Sequence, residues 1–303
     1  MVLKVQLVQN VQFVPTSNLL NSLNILNLLN KTTTNHKQLY TTTTIAQKYL
    51  HYLLTSSNSK GHGTHSPFVF DFIKKVLNDK TVYADYKKIE EVRKQLLQNQ
   101  NTIEVEDFGA GSGVIKTNTR RIDKIAASSL KPKKYAQLLY RIIKYYQPHQ
   151  IIEIGTSFGI TTSYLATAHS AANVITHEGA TMIAAIANEN FNALNLNKIK
   201  LKQGNFETTL MGTIAAIDSL DFAFIDGNHR KKPTWEYFEL LLIKSNENSI
   251  FVFDDIHWSA EMEQVWEEIK LHPSVTLSID LFFIGIVFFK KDFKVKQHFN
   301  IQF

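Results

Sequence analysis

The chain contains no cysteine. That excludes disulfides, thiolate zinc sites, iron–sulfur clusters and a cysteine nucleophile, leaving oxygen and imidazole groups for any metal binding or catalysis. Glycine and proline are sparse, 12 and 6 of 303 residues, which excludes fibrous and linker-dominated chains. Long apolar runs are missing too. The run from Leu281 to Phe289 has about half the length a membrane-spanning helix needs and predicts a buried strand. Gln6, Gln9, Asn10 and Gln12 break up any export-signal core, so the expected setting is the cytoplasm, with no membrane partner. Acidic residues are absent from residues 1–70, where five lysines supply most of the net charge of +6. The remainder is almost neutral, which argues against a nucleic-acid partner.

Three regions follow from composition. Residues 1–45, rich in Asn and Thr, read as a low-complexity tail or as an over-extended start of the reading frame, which the mass of the native protein decides. Residues 46–130 read as a mainly helical cap: Ser66 and Pro67 open a helix to Leu77, and a second runs from Tyr86 to Gln98. Residues 131–303 form the third region, which begins with an amphipathic helix from Pro132 to Tyr146. Short apolar strands then alternate with helices: Ile151 to Ile154, Val174 to His177, Ile199 to Gln203, Phe222 to Ile225 and Ile250 to Phe253. That alternation predicts a doubly wound α/β fold with a parallel sheet covered on both faces. Val275 to Leu281 and Phe283 to Phe289 are joined too tightly for a helical crossover and must be antiparallel to each other.

Two glycine-rich segments compete as a nucleotide loop. Gly109-Ala110-Gly111-Ser112-Gly113 lacks a following helix and an acid-ended strand, and reads as a structural or substrate-facing loop. IIEIGTSFGITTSYLATA has the required context. A buried strand ends at Glu153, Gly155 and Gly159 permit a tight turn, and a helix opens with unpaired N–H groups. Glu178 ends the next strand 23 residues after Gly155, where a carboxylate can take both hydroxyls of a ribose.

Five strand–helix units, a terminal hairpin and these motifs resemble the class I S-adenosylmethionine (SAM) methyltransferases, together with HSPFVFDFI and DFGAGS a bacterial subfamily similar to the catechol-type O-methyltransferases. The resemblance implies a seven-stranded, mostly parallel sheet of order 3-2-1-4-5-7-6, a Rossmann-like core with an N-terminal helical cap. It implies SAM binding by Glu153, Gly155, Thr156, Ser157, Gly159, Thr161, Glu178, Gly204, Asn205 and Asp226, with Gln203-Gly204-Asn205 at the adenine edge.

The fourth and fifth strands end in DFAFIDGNH and IFVFDDIHW, so Asp226, Asp254 and Asp255 should converge at the carboxyl edge of the sheet. Three clustered carboxylates repel one another, and a divalent cation, protons or helix amino ends must offset that cost. In the resembling enzymes acids at these positions hold Mg²⁺; equally, Asp254 or Asp255 could cap the helix near Ala260 and Asp226 could face the sulfonium. His229 stands where those enzymes carry a lysine base, and His257 is the other imidazole available as a base or as a structural loop residue. Trp235, Tyr237, Phe158 and Trp258 read as core more readily than as an acceptor pocket, His62 and His65 as a structural loop, and Arg120 and Arg121 as solvent-facing. The leading expectation is methylation of a small hydroxylated acceptor, with a homodimer left open. A non-catalytic SAM-binding module and an NAD(P)-dependent oxidoreductase are the alternatives.

Overall fold

The computed structural model describes residues 40–57, 66–107 and 116–303. The tail before Tyr40, the His62 and His65 pair, and the glycine run 109–113 lie outside them. Helix α1 spans Thr42–Thr55, its first turn capped by the Thr41 hydroxyl, which accepts from the Thr44 N–H. Helix α2, Pro67–Phe72, continues as a π-helical turn over Ile73–Leu77; proline sits at its start as expected, but Ser66 makes no side-chain cap. Helix α3 is Ala84–Gln98. Strands β1 (Thr102–Asp107) and β2 (Lys116–Arg121) then pair antiparallel, an element the mainly helical expectation missed. The alternation of Ile103 and Val105 with polar residues and the Thr-rich second arm favour the extended backbone. Helix α4 is Ile122–Ser129 and α5 is Lys133–Tyr146, whose Leu138, Leu139, Ile142 and Ile143 are all buried.

The remaining elements alternate: β3 Gln150–Ile154, α6 Ile160–Ala168, β4 Asn173–Glu178, α7 Thr181–Ala193, β5 Lys200–Gln203, α8 Phe206–Ala216, β6 Leu220–Ile225, α9 Lys231–Leu242, β7 Ser245–Asp254 and α10 Ala260–Leu271. Strands β8 (Leu277–Asp280), β9 (Ile284–Phe288) and β10 (Gln297–Asn300) close the chain. The main sheet runs β5-β4-β3-β6-β7-β9-β8-β10. Its first seven positions are the expected order, with β9 antiparallel to both neighbours. The eighth strand is additional: β10 lies parallel to β8 at the edge, a four-residue pairing of mixed polarity with no periodic signature to announce it.

Neighbouring residues of each central strand feed opposite cores, as a sheet buried on both faces requires. Ile151, Phe222, Phe224 and Val252 pack toward α5, α6 and the N-terminal helices, while Ile152, Ile154, Ala223, Phe251 and Phe253 pack toward α8, α9 and α10. Val69, Phe72, Ile89 and Val92 belong to the first of these cores, so α2 and α3 extend that helical layer. Helix α1 packs elsewhere: Tyr49 and Tyr52 meet Phe282, and the Tyr52 hydroxyl donates to the Ile301 carbonyl beside β10. Each fully buried aromatic side chain contributes roughly 2–3 kcal/mol of transfer free energy, which makes the phenylalanine-rich sheet the main source of stability.

Candidate active site at the carboxyl edge of the sheet

Backbone bonds align the strand ends. Asp226 N–H donates to the Ile154 carbonyl, Gly155 N–H to His177 and Gly204 N–H to Glu178. The loops after β3, β4, β5, β6 and β7 therefore leave the sheet side by side. The chain reverses direction across the sheet between β3 and β6, the place where open α/β sheets bind ligands. Gly155 and Gly159 have φ of +101° and +77°; a Cβ would lie 2.3 Å from the Asp226 carbonyl oxygen at the first and 2.4 Å from the Phe191 ring at the second. Both glycines are thus required by conformation and by contact.

Glu178 turns back over this loop. One carboxylate oxygen accepts the Ser157 N–H at 2.8 Å and the other the Ala180 N–H at 3.0 Å. The Gly179 N–H also bears on this carboxylate, which leaves part of its acceptor capacity for a hydroxyl. Burial raises its pKa, against the backbone donors that lower it. The neighbouring hairpin is fastened to the same region, because Glu106 accepts from both the N–H and the hydroxyl of Thr181 and so caps α7 from outside.

Other expected cofactor residues are placed differently. Glu153 is fully buried behind the loop, with one oxygen accepting the hydroxyls of Thr162 and Thr176. Burial pushes its pKa up to about 8, and its Oε1 has no hydrogen-bond partner. Thr156 is buried with its hydroxyl on Thr176, and Ser157 contacts Ser129 across 2.8 Å. Thr161 lies buried in the first turn of α6. Gly204 has φ of +128°, and Asn205 caps α8 by accepting the Glu207 N–H. The aromatic residues fall mostly in cores: Phe158 and Tyr237 are buried, Trp235 packs on Phe238, and Trp258 packs with Ile45 and Phe282. Arg121 pairs with Asp123.

The three acids do converge. Asp226, His229 and Asp254 each place a ligand atom within 4.8 Å of the others. His229 Nε2 is 3.4 Å from Asp226, and its Nδ1 is 4.0 Å from Asp255. Sequence reasoning missed the cation between them. Lys131, only 6% exposed, hydrogen-bonds the Asp254 carboxylate with its ammonium 3.3 Å from Asp226. Burial opposes the charge on Lys131, but Asp226, Asp254 and Asp255 outweigh it and raise its pKa. Asp226 is held at about 2: its burial is overcome first by Lys131 and then by His229. The only prior signal for Lys131 was the unmet positive charge that three acids demand; nothing local to the Lys131-Pro132 step revealed it. Neither Asp254 nor Asp255 caps α10, since the Ser259 hydroxyl accepts the Met262 N–H. With an ammonium on the oxygens that a divalent ion would use, the donor set as arranged does not fit Mg²⁺.

Backbone strain concentrates here. Ser157, Asn228, His229 and Asp255 have φ of 50°, 66°, 31° and 56° without being glycine. Each such residue costs on the order of 1 kcal/mol, a load typical of sites whose geometry is fixed in advance.

His257 lies outside this cluster. Its Nδ1 is 3.0 Å from Glu263 and its Nε2 2.8 Å from Asp280, while the ring stacks on Phe282. Burial would lower its pKa, but the two carboxylates raise it to about 9. A histidine protonated in the folded state up to pH 9, against 6.5 when unfolded, stabilises the fold fully below pH 6.5 and loses that contribution as pH rises through 9. Urea unfolding at pH 7 and pH 10 should show a loss of about 2 kcal/mol from this group. A His257→Gln chain should show a flatter profile; equal slopes would contradict the assignment.

The arrangement matches known proteins at the level of fold and domain. The strand order is that of the Rossmann-like methyltransferase fold. Residues 152–256 match a family described as a methyltransferase domain, which covers the stretch from β3 to the end of β7. Among solved structures, the SAH-bound methyltransferase PaMTH1 of Podospora anserina is 14% identical with a TM-score of 0.53, covering 75% of this chain and 97% of that one. An O-methyltransferase of Bacillus cereus in complex with SAH is 21% identical with a TM-score of 0.49, covering 73% and 97%. No curated protein sequence matches the chain.

Proposed function

We propose that the protein is a SAM-dependent O-methyltransferase for a small hydroxylated acceptor, with His229 as the base. The observation that carries this reading is the placement of His229 against Asp226, directly beside the Gly155 turn over which Glu178 presents its carboxylate. The residues fit a SAM-like donor: two glycines at positive φ shape the turn, and Glu178 keeps acceptor capacity toward a ribose hydroxyl. When bound, SAM supplies an electrophilic methyl group on a sulfonium.

The chain's own task is positioning and removal of one proton. Glu178 holds the donor's ribose end, and the loop 155–159 fixes the approach of its reacting end to the β6 loop. His229 is one-third exposed, so an acceptor hydroxyl can reach its ring. Asp226 and Asp255 flank that ring and stabilise the imidazolium formed when it takes the proton. His257 is less suited, because both of its nitrogens are already engaged by carboxylates. The second reading, a binding module without turnover, shares the Glu178 cradle but gives no reason for the imidazole and acids beside it.

Calorimetric titration with SAM and with SAH tests the donor assignment. Glu178→Ala should weaken both by roughly 10- to 100-fold, the loss expected for hydrogen bonds to a charged acceptor. Unchanged affinity in that variant would end the proposal.

A further inference from the structure

Three carboxylates at a strand edge need counter-charge, and this chain carries that charge covalently. Lys131 immediately precedes Pro132, which sets the backbone at the start of α5 and keeps the lysine at the mouth of the sheet. From there its side chain reaches Asp254 and Asp226 at the ends of β7 and β6, with the ammonium 5.9 Å from the Phe224 ring centroid. It is a buried ion pair in the middle of the site rather than a flexible surface contact. Both Lys131 and Asp254 are almost completely buried, 6% and 2% exposed, so their pairing is shielded from water and removing the ammonium would leave the clustered carboxylates repelling one another.

We propose that Lys131 is the resident cation of this site, standing where a divalent metal would otherwise bridge Asp226 and Asp254, and that the chain binds its donor and its acceptor without metal. The proposal rests on the methyltransferase reading for what the site does, and on the placement of Lys131 between Asp226 and Asp254 for why no metal is held there. A divalent ion seeks several oxygen ligands in near-octahedral array and would have to expel the ammonium from the same oxygens. An ammonium has no such demand: it is a compact point charge with three donors. The acceptor consequently needs one hydroxyl near His229 and not the adjacent pair that chelation to a metal selects. Phenols and alcohols with a single hydroxyl are the substrate class the site fits.

The test uses the full chain, freed of metal with EDTA and saturated with SAH, and titrated with Mn²⁺ under electron paramagnetic resonance. Wild-type protein should bind no Mn²⁺ at concentrations up to about 1 mM, the weak end of protein sites for hard divalent cations. Lys131→Met, which keeps the stem and removes the charge, should gain Mn²⁺ affinity at least tenfold and be raised in thermal midpoint by Mn²⁺, while wild type is unmoved. Should that variant not fold, the wild-type titration decides alone, with Asp254→Asn as its control. Tight Mn²⁺ binding by wild type that Asp254→Asn abolishes overturns the proposal, as does a folded Lys131→Met chain that binds no more Mn²⁺ than wild type. SAH calorimetry on the same preparations reports separately on the methyltransferase reading: no SAH binding would defeat that reading and leave the Mn²⁺ result standing.

Discussion

Replacing His229 with alanine should lower kcat for methyl transfer by about 10²- to 10⁴-fold, the range that a positioned general base contributes. SAM affinity should stay within about threefold of wild type, because in the proposed reading Glu178 and the 155–159 loop, not the imidazole, hold the donor. The split matters more than the size. A histidine that merely propped up the β6 loop would, when removed, release Asn228 and His229 from their left-handed backbone and loosen donor binding along with turnover. His229→Gln sharpens the comparison by keeping bulk and hydrogen-bonding capacity near Asp226 while giving up basicity. If kcat were unaffected in both variants, the proton would be leaving by another route.

The second large effect belongs to Gly155→Ala. The added methyl would meet the Asp226 carbonyl oxygen at 2.3 Å, and that oxygen is backbone with little freedom to retreat. The φ of +101° is unsuited to alanine as well. Strain and overlap together should cost about 3 kcal/mol or more in unfolding free energy. Because Asp226 is anchored to Lys131 and His229, relief by moving the β6 loop would displace His229, the proposed base. Chemical denaturation and SAM calorimetry should therefore deteriorate together. Gly212→Ala is the matched control, since a Cβ there meets nothing within 4 Å. Equal stability of the two variants would remove the case for a tightly wedged turn.

The sequence carried the sheet well for a physical reason. Buried parallel strands such as Ile151 to Ile154 are apolar throughout, and helices such as α5 repeat their apolar positions at helical spacing, so both are written in local order. The same holds for the Gly155 and Gly159 turn and for the acids at strand ends. The hairpin β1–β2 and the edge strand β10 were less legible, because short strands of mixed polarity owe their form to what they pair with. Least legible was Lys131. It lies 95 residues from Asp226 and 123 from Asp254 in the chain, and only tertiary folding makes it their partner. The engagement of His257 by Asp280 and Glu263 was hidden likewise, and it separates two histidines that looked interchangeable beside neighbouring acids.

The two ends of the main sheet bear on how copies of the protein meet. At one end β5 exposes Lys200 and Lys202, and at the other β10 exposes His298 and Asn300 in a strand of only four residues. Such charged or truncated borders discourage one molecule from zipping its backbone onto another. Self-association through the main sheet is thereby steered away from its edges and toward side-chain contacts on the helical faces.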